Sequence, residues 1–360
     1  MCQISEIISK LFSFEIENYI FVYTPPKVGS TTLVTSLRVS LSKTYGTIHI
    51  HDETMLSVLT GINGIKINDI IKYLSSNGKN VYVIDVYRTP IERKMSEFFE
   101  KISPYHFNNT EQNISNYSIQ RIANRFNNLF PHLENGDHYF DKYEIDISTI
   151  HPFDFNKKYT LQMINNIKYI KLRLCDSELW ATILSNIFQT DIVLIPDYAT
   201  QDKATGELYK RFKKEYKIPI NFIKIIENDK FLNFYYNELE RNNYINSWKE
   251  RETGIFRPYT EEEFKFYMNL CLENQYINDV QVEHYIDNGC FCSSCKEKRR
   301  DIFFKAKSGE KITEKITHTY QVNNHKNKKN VQVVNSNKND KLILSRKFKP
   351  DQFKIKSFNN

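Results

Sequence analysis

The chain is poor in glycine and proline, with ten of each in 360 residues. We read this scarcity as part of a bias toward Asn, Lys, Ile and Tyr rather than as chemistry. No apolar run approaches the ~18 residues of a membrane-spanning helix, so a membrane span is excluded as a partner of lipid. No apolar leader is visible between Met1 and Glu17, and the expectation is a cytoplasmic protein with reduced thiols. No internal repeat is visible. What is present is globular: 40% apolar, 14% aromatic and 26% charged residues are too apolar for a disordered chain.

Charge is unevenly placed. Of the net +7, the segment from Lys296 onward carries 18 Lys/Arg against 6 Asp/Glu, which leaves the first 295 residues net acidic. The basic character therefore describes a tail and not a catalytic core. Three regions follow: 1–250 as an α/β domain, 251–308 as a helical extension with a Cys-rich knot, and 309–360 as a basic, partly disordered tail.

Short β-branched and aromatic runs alternate with helical patterns. Asn18–Thr24, Thr47–His51 and Val81–Tyr87 read as strands, with Lys168–Leu174 and Asp191–Ile195 as later candidates. Helices are expected from Thr31, where Leu33, Leu37 and Leu41 share a face, over Asn68–Leu74, and after Pro90. Glu207–Trp248 and Tyr259–Leu272 read as helical. Strands alternating with helices predict an α/β fold: a parallel sheet flanked by helices, with a mostly helical C-terminal part.

Between the first strand and its helix lies Thr24-Pro25-Pro26-Lys27-Val28-Gly29-Ser30-Thr31-Thr32. A helix N-terminus offers N–H groups and partial positive charge to an anion. Gly29 allows close backbone approach, Lys27 adds a cation, and Ser30, Thr31 and Thr32 add hydroxyls. This is not a Walker A loop, because Lys27 precedes Gly29 and no Mg²⁺-holding acid is evident. A second junction follows Val81–Tyr87, where Arg88 ends a strand and Ser96 lies two helical turns on. A ligand crevice of an open α/β sheet opens at such strand ends, and a guanidinium suits phosphate.

The order Pro-Lys-x-Gly-Ser-Thr-Thr resembles the 5′-phosphosulfate loop of sulfotransferases, and Arg88 with Ser96 resembles their 3′-phosphate grip. His151-Pro152-Phe153-Asp154, Tyr169–Leu174, Asn233–Tyr236 and Trp248 look like the capsular polysaccharide synthesis family, which is similar to carbohydrate sulfotransferases. The resemblance spans about residues 18 to 250. It implies a P-loop-like sulfotransferase fold, 3′-phosphoadenosine 5′-phosphosulfate (PAPS) as donor and a carbohydrate or other hydroxyl as acceptor. It places Lys27, Val28, Gly29, Ser30, Thr31, Thr32, Arg88 and Ser96 on the donor, with Lys27 at the leaving phosphate. Adenosine 3′,5′-bisphosphate would be the product, and nucleic acid is not expected as a partner. The soluble-looking N-terminus departs from membrane-anchored secretory relatives.

A general base must take the acceptor proton. His51, at the end of the second strand, is the first candidate and Glu53 the second; His132, His138 and His151 have no better local context. His49 shares a face with His51, so the pair could instead be a structural polar patch. His284, Cys290, Cys292 and Cys295 form a compact group that reads either as a structural zinc site or as simple loop thiols. Cys175 reads as a core thiol. Two alternatives stand beside the sulfotransferase reading. One is a kinase-like P-loop enzyme; the other is a catalytically silent protein gripping a glycan or nucleic acid.

Overall fold

Asn18–Tyr23 (β1) and Asn80–Tyr87 (β3) carry runs of consecutive apolar residues, Tyr45–Ile50 (β2) interleaves Ile with Thr and His, and all three are strands buried on both faces. The computed structural model describes residues 2–12, 16–41, 44–196, 205–273 and 293–312. Tyr159–Ile164 (β4) and Ile167–Arg173 (β5) complete a five-stranded sheet in the order β2-β1-β3-β5-β4. β1 pairs in parallel with β2 and β3, and β3 pairs in parallel with β5.

The expectation of a parallel sheet needs one correction. β4 runs antiparallel to β5 at the sheet edge. Asn165 and Asn166, at φ 50° and 62°, make the two-residue turn that joins them. Two left-handed residues match the twist of a hairpin, and Asn tolerates that conformation. Half-exposed β4 alternates in burial, as an edge strand should.

Helices cover both faces. Ser30–Ser40 (α2) packs on one face, with Leu33, Val34 and Leu37 against Ile20, Val22 and Ile84. Cys2–Leu11 (α1), Glu53–Thr60 (α3) and Ile67–Ser76 (α4) lie on the other, with Ile7, Leu56 and Ile70 against Phe21, Tyr23 and Val83. Pro90–Glu100 (α5) leaves β3 and enters a third, mainly aromatic cluster. A π-helix over Ile102–Phe107 follows, then Ile119–Leu129 (α6) and Trp180–Phe188 (α7). Gly206–Glu215 (α8), Ile220–Glu227 (α9), Lys230–Tyr235 (α10), Glu238–Lys249 (α11) and Glu261–Glu273 (α12) make the expected helical C-terminal part. Tyr267 and Cys271 of α12 join the same cluster as Phe98 and Phe126.

Asp191–Ile195, expected as a strand, does not join the sheet. Val193 N donates to Ser40 Oγ at 3.1 Å, and Ile195 N donates to Ser36 Oγ at 2.9 Å. Ser36 and Ser40 lie one turn apart on α2 and satisfy backbone donors that a ladder would otherwise hold. Among the described residues no helix is long and apolar enough to cross a membrane.

Candidate active site

The loop after β1 starts as a strand that cannot continue. Thr24 N still donates to Ile50 O at 3.2 Å, but Pro25 and Pro26 have no N–H to donate. Lys27 at φ 67° and Gly29 at φ 88° both take the left-handed conformation. Only Gly is at ease there, so the strain falls on Lys27. Val28, between them, is fully buried and anchors the loop in the core below. A Cβ on Gly29 would stand 2.8 Å from Leu174 Cδ1. Gly29 is also the N-cap of α2, with no side-chain cap. Asp52, Ser118, Asp229 and Asn237 cap α3, α6, α10 and α11 with side-chain oxygens, whereas α5, α7, α8 and α9, like α2, have no side-chain cap. The helix expected to hold an anion is thus one whose N-terminus no side chain closes.

Arg88 follows the last residue of β3 and reaches across to this loop. Its Nη1 donates to Lys27 O at 2.7 Å, and its Nη2 donates to Tyr209 OH at 3.4 Å. Two motifs sixty-one residues apart are therefore one site at the C-terminal end of the parallel strands. β1 is the strand at which the chain order reverses, between β2 and β3, which is where ligands of open α/β sheets bind. Lys27 Nζ pairs with Glu100 Oε2 at 2.8 Å. Ser96 is on α5 as expected but is 2% exposed, and it makes no hydrogen bond with Arg88.

No family model matches the chain, and no curated protein or solved structure matches it.

His51 sits directly beyond β2, and its Nδ1 lies 2.6 Å from Thr24 O. A carbonyl only accepts, so Nδ1 carries the hydrogen and the neutral ring keeps its lone pair on Nε2. Burial holds the His51 pKa down to about 4, against a hydrogen bond to Thr24 that raises it. His138 Nε2 lies 2.6 Å from His51 O and props the same turn. Burial lowers its pKa to about 4 as well. His49 is 1% exposed, and its Nε2 lies 2.9 Å from Ser30 Oγ. The two rings stand edge to face at 4.6 Å. His49 is thus the structural member of the pair, bracing the start of α2. Glu53 opens α3 and accepts from Tyr23 OH at 3.3 Å. His132 is engaged by Tyr259 O at 2.8 Å, and His151 borders a cavity beside edge strand β4.

One group was missed from sequence. Lys171 Nζ contacts Asp85 Oδ2 at 2.6 Å and Asp137 Oδ2 at 2.5 Å, and none of these side chains is more than 2% exposed. Tyr139 N and Tyr235 OH donate to the two carboxylates. Desolvation raises both Asp pKa values, with Lys171 opposing it. An Asp in the middle of an apolar strand was the available signal. Arg173, ending β5, is locked by Asp176 and Glu240 at 2.6 and 2.7 Å and is not free for a ligand.

His284, Cys290 and Cys292 lie outside the described residues, as does the side chain of Cys295, which is on the helix Ser293–Lys307 (α13). Cys175, expected in the core, is exposed. It follows β5 in a turn where strand alternation has ended, and its Sγ accepts from Tyr236 OH at 3.1 Å.

Proposed function

We propose that the chain is a cytoplasmic, P-loop-like sulfotransferase that moves a sulfuryl group from PAPS to a carbohydrate hydroxyl. The observation that carries this reading is the 2.7 Å bond from Arg88 to Lys27 O, which joins both candidate phosphate-binding motifs. The left-handed Gly29, the helix N-terminus without a side-chain cap and the fully buried Thr24 Oγ1, which lacks a protein partner, fit a loop built around an anion.

Roles follow from position. The N–H groups of residues 29–32 would hold the 5′-phosphate, Arg88 and Ser96 the 3′-phosphate, and Lys27 the phosphate oxygen that leaves sulfur. For the transfer, the acceptor oxygen bonds to sulfur as the sulfur–phosphate oxygen bond breaks. The acceptor proton goes to Nε2 of His51, the nitrogen that its Thr24 contact leaves with a lone pair. Glu53 is the second candidate for that proton. Lys27 would exchange Glu100 for the leaving group, so Glu100 competes with the donor for it.

Incubation with labelled PAPS and a panel of glycans tests the reading. Transfer of label to one glycan class is expected. Lys27→Ala should lower kcat and kcat/KM together, since its contact strengthens in the transition state. Normal turnover in Lys27→Ala would reduce the loop to a helix start and remove the mechanism. A second reading, a silent glycan-binding protein, draws on the Lys27–Glu100 pair, since a lysine held by a carboxylate need not do chemistry. Glycan binding without any label transfer would favour it.

A further inference from the structure

Arg121 and Arg125 lie one turn apart on α6, so both project from one face. Among the described residues neither pairs with a carboxylate. Each is instead laid on aromatic rings. Arg121 Cζ is 3.7 Å from the centroid of Tyr117, and Arg125 Cζ is 5.3 Å from those of Phe107 and Tyr267. Stacking on Tyr117 fixes the Arg121 guanidinium and leaves its N–H edge for an acceptor, while Arg125 donates one N–H to Tyr267 OH and keeps its other N–H groups. Like charges one turn apart repel, so an anion between them would relieve a cost the folded chain carries.

Two cavities, about 290 and 450 Å³, open here and share Phe107, Arg121 and Arg125. The first is also bordered by His106, which is 4% exposed. Its Nδ1 meets Tyr267 OH at 2.8 Å, while Nε2 has no partner. His106 belongs to the π-helix Ile102–Phe107, and such widened turns recur at functional sites. Its ring stacks on Phe98 at 4.6 Å, on the same helix as Ser96 and Glu100. The cavities thus lie one helix away from the candidate donor site, on separate residues.

We propose that Arg121 and Arg125 form an oxyanion site that takes the carboxylate or sulfate groups of an acidic saccharide. The rings already meet guanidiniums, so a ligand meets paired N–H edges rather than a row of bare rings. Paired N–H groups match a carboxylate or sulfate; a run of nucleic-acid bases needs bare rings to stack on. Each of the two cavities, at about 290 and 450 Å³, has room for a sugar ring and not only for a small ion. The choice of a saccharide rests on the sulfotransferase reading, whereas the oxyanion site does not.

Calorimetric titration of the full chain tests this with four probes: oligogalacturonate, a heparin-derived oligosaccharide, neutral maltohexaose and oligothymidylate. Binding of at least one acidic saccharide is expected, and the probe that binds separates carboxylate from sulfate. Maltohexaose should not bind. R121Q/R125Q should weaken the acidic saccharide about ten-fold or more, and R121K/R125K should recover only part, because a point charge lacks the fork. Affinity for adenosine 3′,5′-bisphosphate should be unchanged in both. R121Q alone, at an exposed position, serves if the double variant does not fold. Equal saccharide binding by wild type and R121Q, no binding of either acidic probe, or preference for oligothymidylate would overturn the proposal. Acidic saccharide bound without the bisphosphate would leave this site standing and remove the donor reading.

Discussion

Two sets of charged groups lie toward the C-terminal ends of β1, β3 and β5 and meet opposite fates. Lys27 and Arg88 stand in the loop layer, half-buried, each touching backbone or a carboxylate. Asp85, Lys171 and Asp137 lie beneath, all but sealed from water. A sealed charge must find its partners within the chain, because nothing else can solvate it. A half-buried one can exchange a protein partner for a ligand. The contrast separates charge that holds the fold from charge available for binding, and mutations should keep the two apart.

The largest effect should come from the sealed set. Asp85→Ala leaves Lys171 with one carboxylate and an emptied site, and about 3–5 kcal/mol of stability should be lost. Urea unfolding measures it. Replacing all three with apolar residues of similar volume should recover most of that loss, since an apolar cluster needs no solvation. A single variant as stable as wild type would mean that the cluster carries no structural weight.

Gly29→Ala should come next, at about 1–3 kcal/mol, because φ 88° is strained for any side chain. The Leu174 methyl can rotate away, so the backbone conformation dominates the cost. Arg88→Ala should cost less stability than either. It should weaken adenosine 3′,5′-bisphosphate by about ten-fold or more, as loss of a charged hydrogen bond does. A stability loss equal to that of Asp85→Ala would erase the distinction between the two sets.

How much of this was legible follows from reach along the chain. β1, β3 and β5 were legible as runs of β-branched and aromatic residues, and the loop at Lys27–Thr32 by its place between strand and helix. β4 was not, because its short alternation around Gln162 is weak and its signal was the Asn165-Asn166 turn. Asp191–Ile195 has the composition of a strand, but serine hydroxyls on α2 decide its fate. The Asp85–Lys171 pair depends on register between strands 86 residues apart, which no local pattern encodes. Arg121 and Arg125 likewise carry no local signal beyond two charges four residues apart, because the rings they meet at Phe107 and Tyr267 come from other elements.

A smaller effect concerns pH. His51 and His138 are held near pKa 4 by burial, against 6.5 in an unfolded chain. The unfolded chain therefore binds more protons as pH falls below about 6.5, and stability drops between about 6.5 and 4. His138→Gln should flatten that slope in urea midpoints taken across the window; an unchanged slope would show that His138 does not contribute. The same shift means a base at His51 stays neutral well below pH 6.5, so turnover should not show an acid limb there.

The central claim is that Lys27, Arg88 and the start of α2 form a site for a nucleotide carrying a 3′-phosphate. Calorimetric titration of the full chain with adenosine 3′,5′-bisphosphate and with ATP tests it most directly. Tighter binding of the bisphosphate is predicted, by about 1.5–3 kcal/mol, with the advantage lost in Arg88→Ala. Equal affinities for the two nucleotides in the wild-type chain would contradict it.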